Sequence, residues 1–324
     1  MDVPISIWIG LFAIILVMLA VDLFMHRDHH EISVKEAAVW TAIWIAIGLI
    51  VGGIIWAIYG SEFGMQYLAG YVIEKSLAID NVFVWALIFT YFKIPLKYQH
   101  QVLFLGVLGA LVFRGIFIAL GATLIASAGW ILYIFGGFLI FTGFKMLVQR
   151  NDHMDPGNTR TVKLFKKLVP STDKLHGAKF FIYENGKRLA TPLLLVLVLV
   201  EVTDIIFAVD SIPAIFAVTS EPFIVFASNA LAILGLRSMY FLLADLMHRF
   251  IYLKLGLSFV LIWVGVKMIL GHSGFKIPTS ISLSVVLVIL TSAIVASLLV
   301  TRSEKKVASK ALNNQESVHA ETEH

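Results

Sequence analysis

Glu74-Lys-Ser-Leu-Ala-Ile-Asp80-Asn81 and Asp204-Ile-Ile-Phe-Ala-Val-Asp210-Ser211 are two versions of one pattern. Each has a carboxylate, a second carboxylate six residues later, and then a small side chain that carries oxygen. Both lie inside long apolar runs. A carboxylate at the bilayer centre costs about 2.5–3.5 kcal/mol even on the mildest scale, unless it meets a partner or water. Repeated burial of acids therefore points to a use. Acidic oxygens at mid-membrane suit a hard cation, a proton, or both.

The surrounding sequence implies an all-α, polytopic membrane protein. The 324 residues are 59% hydrophobic and 14% charged, with mean hydropathy +0.89. Soluble domains carry about 25% charged residues. Apolar runs at 4–24, 36–58, 65–91, 99–126, 129–148, 190–218, 222–247, 252–271 and 279–301 predict about nine transmembrane helices, each near the ~20 residues a span needs. The first run has no basic n-region or clear cleavage site, so it reads as a span and not as a signal peptide. There is no cysteine, which excludes disulfides and thiolate metal sites.

The basic residues alternate along the chain. They occupy the loops around Arg27 and Lys35, Lys93 and Lys97, Arg150 to Arg188, Arg249 and Lys254, and Arg302 to Lys306. The turns at 59–62, 126–129 and 219–221 carry none, and Lys276 is the single exception on that side. The positive-inside rule accounts for this better than nucleic-acid binding does. It places the N-terminus outside and the C-terminus in the cytoplasm.

An internal repeat organises the chain. At an offset of about 120–130 residues, Phe113-Arg114 matches Leu236-Arg237, and Thr142-Gly-Phe-Lys145-Met146 matches Val264-Gly-Val-Lys267-Met268. Each unit holds three spans, so the second enters from the opposite side. The expectation is two inverted three-helix repeats, at 65–148 and 190–271, the usual plan of secondary transporters. Duplication without transport would leave the same repeat. Two N-terminal helices (1–64), a cytoplasmic basic loop (149–189), a last transmembrane helix (272–301) and a disordered cytoplasmic tail (302–324) complete the chain. In the loop, Lys163-Leu-Phe-Lys166-Lys167 is strongly basic and Asn185-Gly186 predicts a hairpin turn. The loop reads as a connector lying against anionic lipid.

Six helical residues turn through about 600°, so Glu74 and Asp80 face different ways, as do Asp204 and Asp210. Glu74 shares a face with Asn81, and Asp204 with Ser211. One straight helix cannot chelate an ion with its own pair. Either a helix breaks, or carboxylates from both helices combine. Pro213 frees a backbone carbonyl one turn upstream, near Asp210. Asp80, Asp210, Asn81, Ser211 and backbone carbonyls are the candidate metal ligands, an all-oxygen set that favours Mg²⁺, Ca²⁺ or Mn²⁺ over zinc or copper.

Glu201, three residues before Asp204, and Glu74 are candidates for a gate or proton carrier. Arg114 and Arg237 are expected to bridge to the acids, with partner exchange as the active alternative. Asn229 is equally a ligand or an interhelical donor. Lys75 should point away from Glu74, to Asp245 or a backbone carbonyl, and Lys145 and Lys267 should snorkel. The His26-Arg-Asp-His-His30-Glu31 cluster reads as a solvated loop.

Tyr71-Val-Ile-Glu74-Lys-Ser-Leu-Ala-Ile-Asp80-Asn81-Val-Phe-Val-Trp85, Glu201-Val-Thr-Asp204 through Asp210-Ser211-Ile-Pro213, and Ala232-Ile-Leu-Gly-Leu-Arg237-Ser-Met-Tyr240-Phe resemble the signature segments of the TerC/Alx family. The resemblance covers about residues 1–300. It implies a secondary transporter of the bacterial inner membrane that exports Mn²⁺, with H⁺ as the candidate coupled ion. Asp80 and Asp210 would be the central ligands, with Glu74, Asn81, Asp204 and Ser211 beside them. No cofactor, enzyme activity or nucleic-acid partner is expected, and no nucleotide-binding loop is visible to couple ATP. The alternative is a membrane-assembly or metalation scaffold factor without transport of its own. An intramembrane aspartyl protease fits poorly, because Phe-Ala-Val-Asp210-Ser lacks a Gly-x-Gly-Asp element.

Overall fold

The computed structural model describes residues 3–25, 33–148, 156–184, 186–244, 252–273, 275 and 277–322. The His26–Glu31 cluster, Arg150, Asp245, Arg249 and Lys276 lie outside them. The helices are α1 (Ile5–Met25), α2 (Val34–Tyr59), α3 (Ser61–Tyr91), α4 (Leu96–Ser127), α5 (Ile131–Val148), α6 (Arg160–Leu168), α7 (Pro192–Phe216), α8 (Pro222–Ile233), α9 (Leu236–Ala244), α10 (Leu253–His272) and α11 (Thr279–Thr322). Seven segments are long and apolar enough to cross a membrane: α1, α2, α4, α5, α7, α10 and the first part of α11. The pair α8–α9 passes the same test together, bent by 42°. The 31-residue α3 fails it, because Glu62, Glu74, Lys75 and Asp80 lie along it. The protein is thus an all-α, multi-pass membrane protein. Outward-facing Ile54, Val112, Ile134 and Phe141 give it the apolar surface that lipid requires.

Local chemistry sets several helix ends. Ser33 caps α2, its hydroxyl accepting from the Glu36 amide at 3.2 Å. Pro192 opens α7 at a position where no amide proton is needed. The loop hairpin forms as expected. Strand β1 (Phe181–Glu184) pairs antiparallel with β2 (Lys187–Ala190), Glu184 opposite Lys187, and Gly186 takes a φ of 74° in the turn. The basic stretch before it folds as α6, capped by Thr159.

Two features depart from the sequence expectation. The run expected to span 222–247 breaks at Leu234-Gly235, where Gly235 adopts a φ of 83°. Glycine permits this backbone and Trp44 packs against it. Lys75 donates to the carbonyls of Ala232 (2.9 Å) and Leu234 (3.4 Å), which the break frees from helical bonding. So Lys75 does turn away from Glu74, to backbone. Second, the expected disordered tail from 302 instead continues the α11 backbone to Thr322. No proline or glycine interrupts residues 302–322, so nothing local stops the helix.

At the centre of the bundle, α3 packs against α2, α7, α8, α9 and α11, while α4 lies on α7 and α8. Helices α5 and α10 pair along their length. A Cβ at Gly143 would come within 2.8 Å of the Ser258 carbonyl, so this pairing brings backbone against backbone.

Candidate functional site

Helices α3 and α7 each aim one face at the same point. Glu74 and Asn81, seven residues apart, leave α3 on one side; Asp204 and Ser211 do the same from α7. Arg114 of α4 fills the space between them. Its guanidinium pairs with Glu74 through Nη1 and with Asp204 through Nη2 at 3.1 Å, and Nε reaches the second Asp204 oxygen at 3.5 Å. The fork on Asp204 is the two-pronged geometry that suits arginine and not lysine. Nη1 also donates to Ser211 Oγ (3.2 Å) and Asn229 Oδ1 (3.3 Å). Asn229 of α8 returns its amide to Glu74 at 3.2 Å, and Asn81 donates to Asp204 at 3.4 Å.

Arg114, Glu74 and Asp204 are at most 2% exposed. Burying charge so completely is tolerable only because each group is paired and hydrogen-bonded. One guanidinium against two carboxylates still leaves an excess of one negative charge, in a place suited to attracting a cation.

The second acids of the two patterns lie outside this knot. Asp80 is buried, and Lys254 at the start of α10 acts on it electrostatically without closing an ion pair. Asp210 turns toward α5. There the Thr142 hydroxyl donates to it at 3.2 Å and Lys145 acts on it from one turn further on. The six-residue spacing is responsible, since it rotates each second acid off the face of the first. Both helices remain continuous through their acids, and the carboxylates that meet are the first of each pair, Glu74 and Asp204, on Arg114.

Asp80 Oδ1, Asn81 Oδ1 and Glu201 Oε2 are among the buried oxygens that have no hydrogen-bond partner within the described residues; others, such as Gln66 Oε1 and Ser238 Oγ, belong to other side chains. Glu201 packs against α4 at Gly109, where an added Cβ would meet its carboxylate at 2.1 Å. Acceptors left without donors are what a site for a hard cation presents. Among the described residues, however, no three of the Asp, Glu and His side chains converge tightly enough to form a ready metal cage.

Arg237 takes a different partner from Arg114. It pairs with Asp22 of α1 at 3.0 Å and bonds the Asp22 carbonyl, away from the four acids of the two patterns. Sequence reasoning did not single out Gly109 or Lys254, and placed Thr142 only within a repeated motif. A glycine facing a buried acid across two helices leaves no mark in either helix alone.

A bundle of apolar helices around a knot of paired charges defines a multi-pass membrane protein with a polar interior. The chain belongs to the TerC family: the model for "Integral membrane protein TerC family" matches residues 59–305. It is 50% identical over 298 residues to "Uncharacterized membrane protein STKORF319" of Myxococcus xanthus, covering 92% of this chain and 93% of that one. It is 44% identical over 294 residues to "Putative membrane-bound redox modulator Alx" of Escherichia coli (strain K12), covering 88% and 91%. A membrane protein of Rickettsia bellii is 39% identical over 293 residues, covering 90% and 97%. No solved structure matches the chain.

Proposed function

We propose that the protein is a secondary transporter exporting Mn²⁺ from the cytoplasm across the bacterial inner membrane, with H⁺ as the coupled ion. The route runs through the acidic site between two inverted three-helix units, α3–α5 and α7–α10. Counting α3 as a span and α8–α9 as one span makes nine, with the N-terminus outside and the C-terminus in the cytoplasm. The observation that carries this reading is reciprocity. One arginine serves an acid from each of two equivalent helices. The next acid on α3 is acted on by Lys254 of α10, and the next acid on α7 accepts from Thr142 of α5, so each is served from the other unit. The crossing is one of helices and not of matched residues, since Thr142 and Lys145 align with Val264 and Lys267; transporters built from inverted repeats bind their substrates where the two units meet.

In this mechanism Arg114 holds Glu74 and Asp204 while no ion is bound, which prevents uncompensated charge at mid-membrane. The substrate cation takes oxygen from Asp80, Asn81, Asp210 and Ser211, and Glu74 and Asp204 exchange the guanidinium for the ion. Glu201 lies one turn from Asp204 with an oxygen that lacks a donor, and serves as the proton carrier. The Val209 carbonyl, freed by Pro213, adds a further hard ligand. Oxygen ligands favour Mn²⁺ over softer metals. The redox wording in the relatives' name has no thiol to act through here, since the chain has no cysteine.

The test is Mn²⁺ flux in proteoliposomes, with internal pH recorded, for wild type, Asp80→Asn and Asp210→Asn. Loss of flux in both folded variants, with a matching proton signal in the wild type, supports the proposal. Unchanged flux removes these acids from the mechanism. A wild type silent to Mn²⁺, Ca²⁺ and Mg²⁺ sinks the transport reading and favours an assembly or metalation factor.

A further inference from the structure

At the end of α7 opposite the hairpin, a cleft of about 530 Å³ opens between helix termini. Glu62 from the start of α3, Leu132 from the start of α5 and Phe216 from the end of α7 line it. Lys267 of α10 and Thr279 and Ser280 of α11 form the polar remainder. Two features of this cleft are independent of each other and point to the same ligand.

Lys267 is the first. It is only 7% exposed, it lines the cleft, and it makes no hydrogen bond or ion pair with any described residue. Its stem is enclosed and its ammonium reaches only as far as the cleft, in the manner of a snorkelling lysine. No described residue supplies a counter-charge, so an anion entering the cleft is what would pair with the ammonium.

The N-terminus of α11 is the second. The first helical bond there runs from the Ser282 amide to the Pro278 carbonyl at 3.1 Å. The amides of Thr279, Ser280 and Ile281 therefore precede the ladder, at the positive end of a long helix. The hydroxyls of Thr279 and Ser280 stand beside them on the cleft wall. Helix N-termini of this kind bind phosphate groups and similar anions. Glu62 is the opposing charge. It is exposed and accepts from Gln66 at 3.4 Å, so water screens it more than it screens the enclosed lysine.

We propose that this cleft binds a small oxyanion, namely a phosphate group, held by Lys267 and by the first-turn amides and hydroxyls of α11. The phosphate is either free inorganic phosphate or the headgroup of an anionic lipid. The site stands apart from the acidic route and does not depend on the transport reading.

The test uses the full-length protein purified in detergent. Inorganic phosphate binding is measured by calorimetry at constant ionic strength. Phosphatidylglycerol is titrated separately, with thermal stability as the readout. Wild type, Lys267→Arg, Lys267→Met and Ser280→Asp are compared. Methionine fills the lysine's enclosed volume, and an acid at the exposed Ser280 suits the helix terminus, so at least one of the two weakening variants should fold.

If the ligand is free phosphate, wild type and Lys267→Arg bind it, while Lys267→Met and Ser280→Asp bind about tenfold more weakly or less, the order expected for one lost charge-assisted hydrogen bond. If it is a lipid headgroup, phosphate gives no heat, but phosphatidylglycerol stabilises wild type and Lys267→Arg more than the other two. If neither ligand separates wild type from the folded variants, the proposal is overturned.

Discussion

Glu74 and Asp80 lie six residues apart on one helix and meet opposite environments. Glu74 is held by Arg114 and Asn229; Asp80 is equally enclosed and has an oxygen that no donor reaches. The same contrast recurs on α7. Asp204 takes two bonds from Arg114 and one from Asn81, whereas Asp210 has one threonine hydroxyl. The first acid of each pair closes the fold, and the second remains available. A buried carboxylate with a complete set of partners contributes to stability only while those partners stay. One with an unfilled oxygen is stabilised little by its surroundings and has capacity for a ligand. The pairing therefore sets a fully partnered acid beside a sparsely partnered one within one short motif.

The largest effect expected from this division is at Arg114. Arg114→Met leaves Glu74 and Asp204 buried without a cation and should cost about 3–5 kcal/mol in reversible unfolding in detergent. Asp80→Asn should leave stability unchanged or slightly raised. Equal stability losses in the two variants would erase the distinction.

Arg237→Met should cost less, about 1.5–3 kcal/mol, because its partner Asp22 belongs to the peripheral α1 and is itself less enclosed. Mn²⁺ flux per folded molecule should be retained. Flux loss equal to that of Arg114→Met would place Arg237 in the route.

Gly109→Ala forces a methyl into the Glu201 carboxylate and should destabilise by about 1–3 kcal/mol. If Glu201 carries the proton, this variant also uncouples proton from metal flux in proteoliposomes. An additional Glu201→Gln change should then restore no coupling. Coupling intact in Gly109→Ala would argue against that role.

The smallest effect is expected at Thr142→Val, which removes one hydrogen bond from Asp210 and should cost about 1 kcal/mol or less. A change in Mn²⁺ affinity without a change in stability would show that the hydroxyl tunes Asp210 as a ligand.

Much of this molecule was legible in the residues. The helical, multi-pass class follows from uninterrupted apolar length, because lipid offers the backbone no hydrogen bonds outside a helix. The facing of Glu74 with Asn81, and of Asp204 with Ser211, follows from 3.6 residues per turn alone. The hairpin at Gly186 follows from turn chemistry, and the turning of Lys75 away from Glu74 from its position beside it, with the choice of a backbone carbonyl left to the fold. Other features depended on contacts between distant segments. That Arg114 gathers both first acids while Arg237 goes to Asp22 was not readable, since the two arginines occupy matching positions in their helices. The break at Gly235 was missed because one glycine in an apolar run is compatible with a continuous helix, and Trp44 and Lys75 come from other helices. The cleft that encloses the Lys267 stem is likewise a product of packing, because its walls come from α3, α5, α7 and α11. Periodicity fixes which side chains share a face of one helix. Which face meets which partner depends on how helices close around one another, and only the tertiary structure decides that.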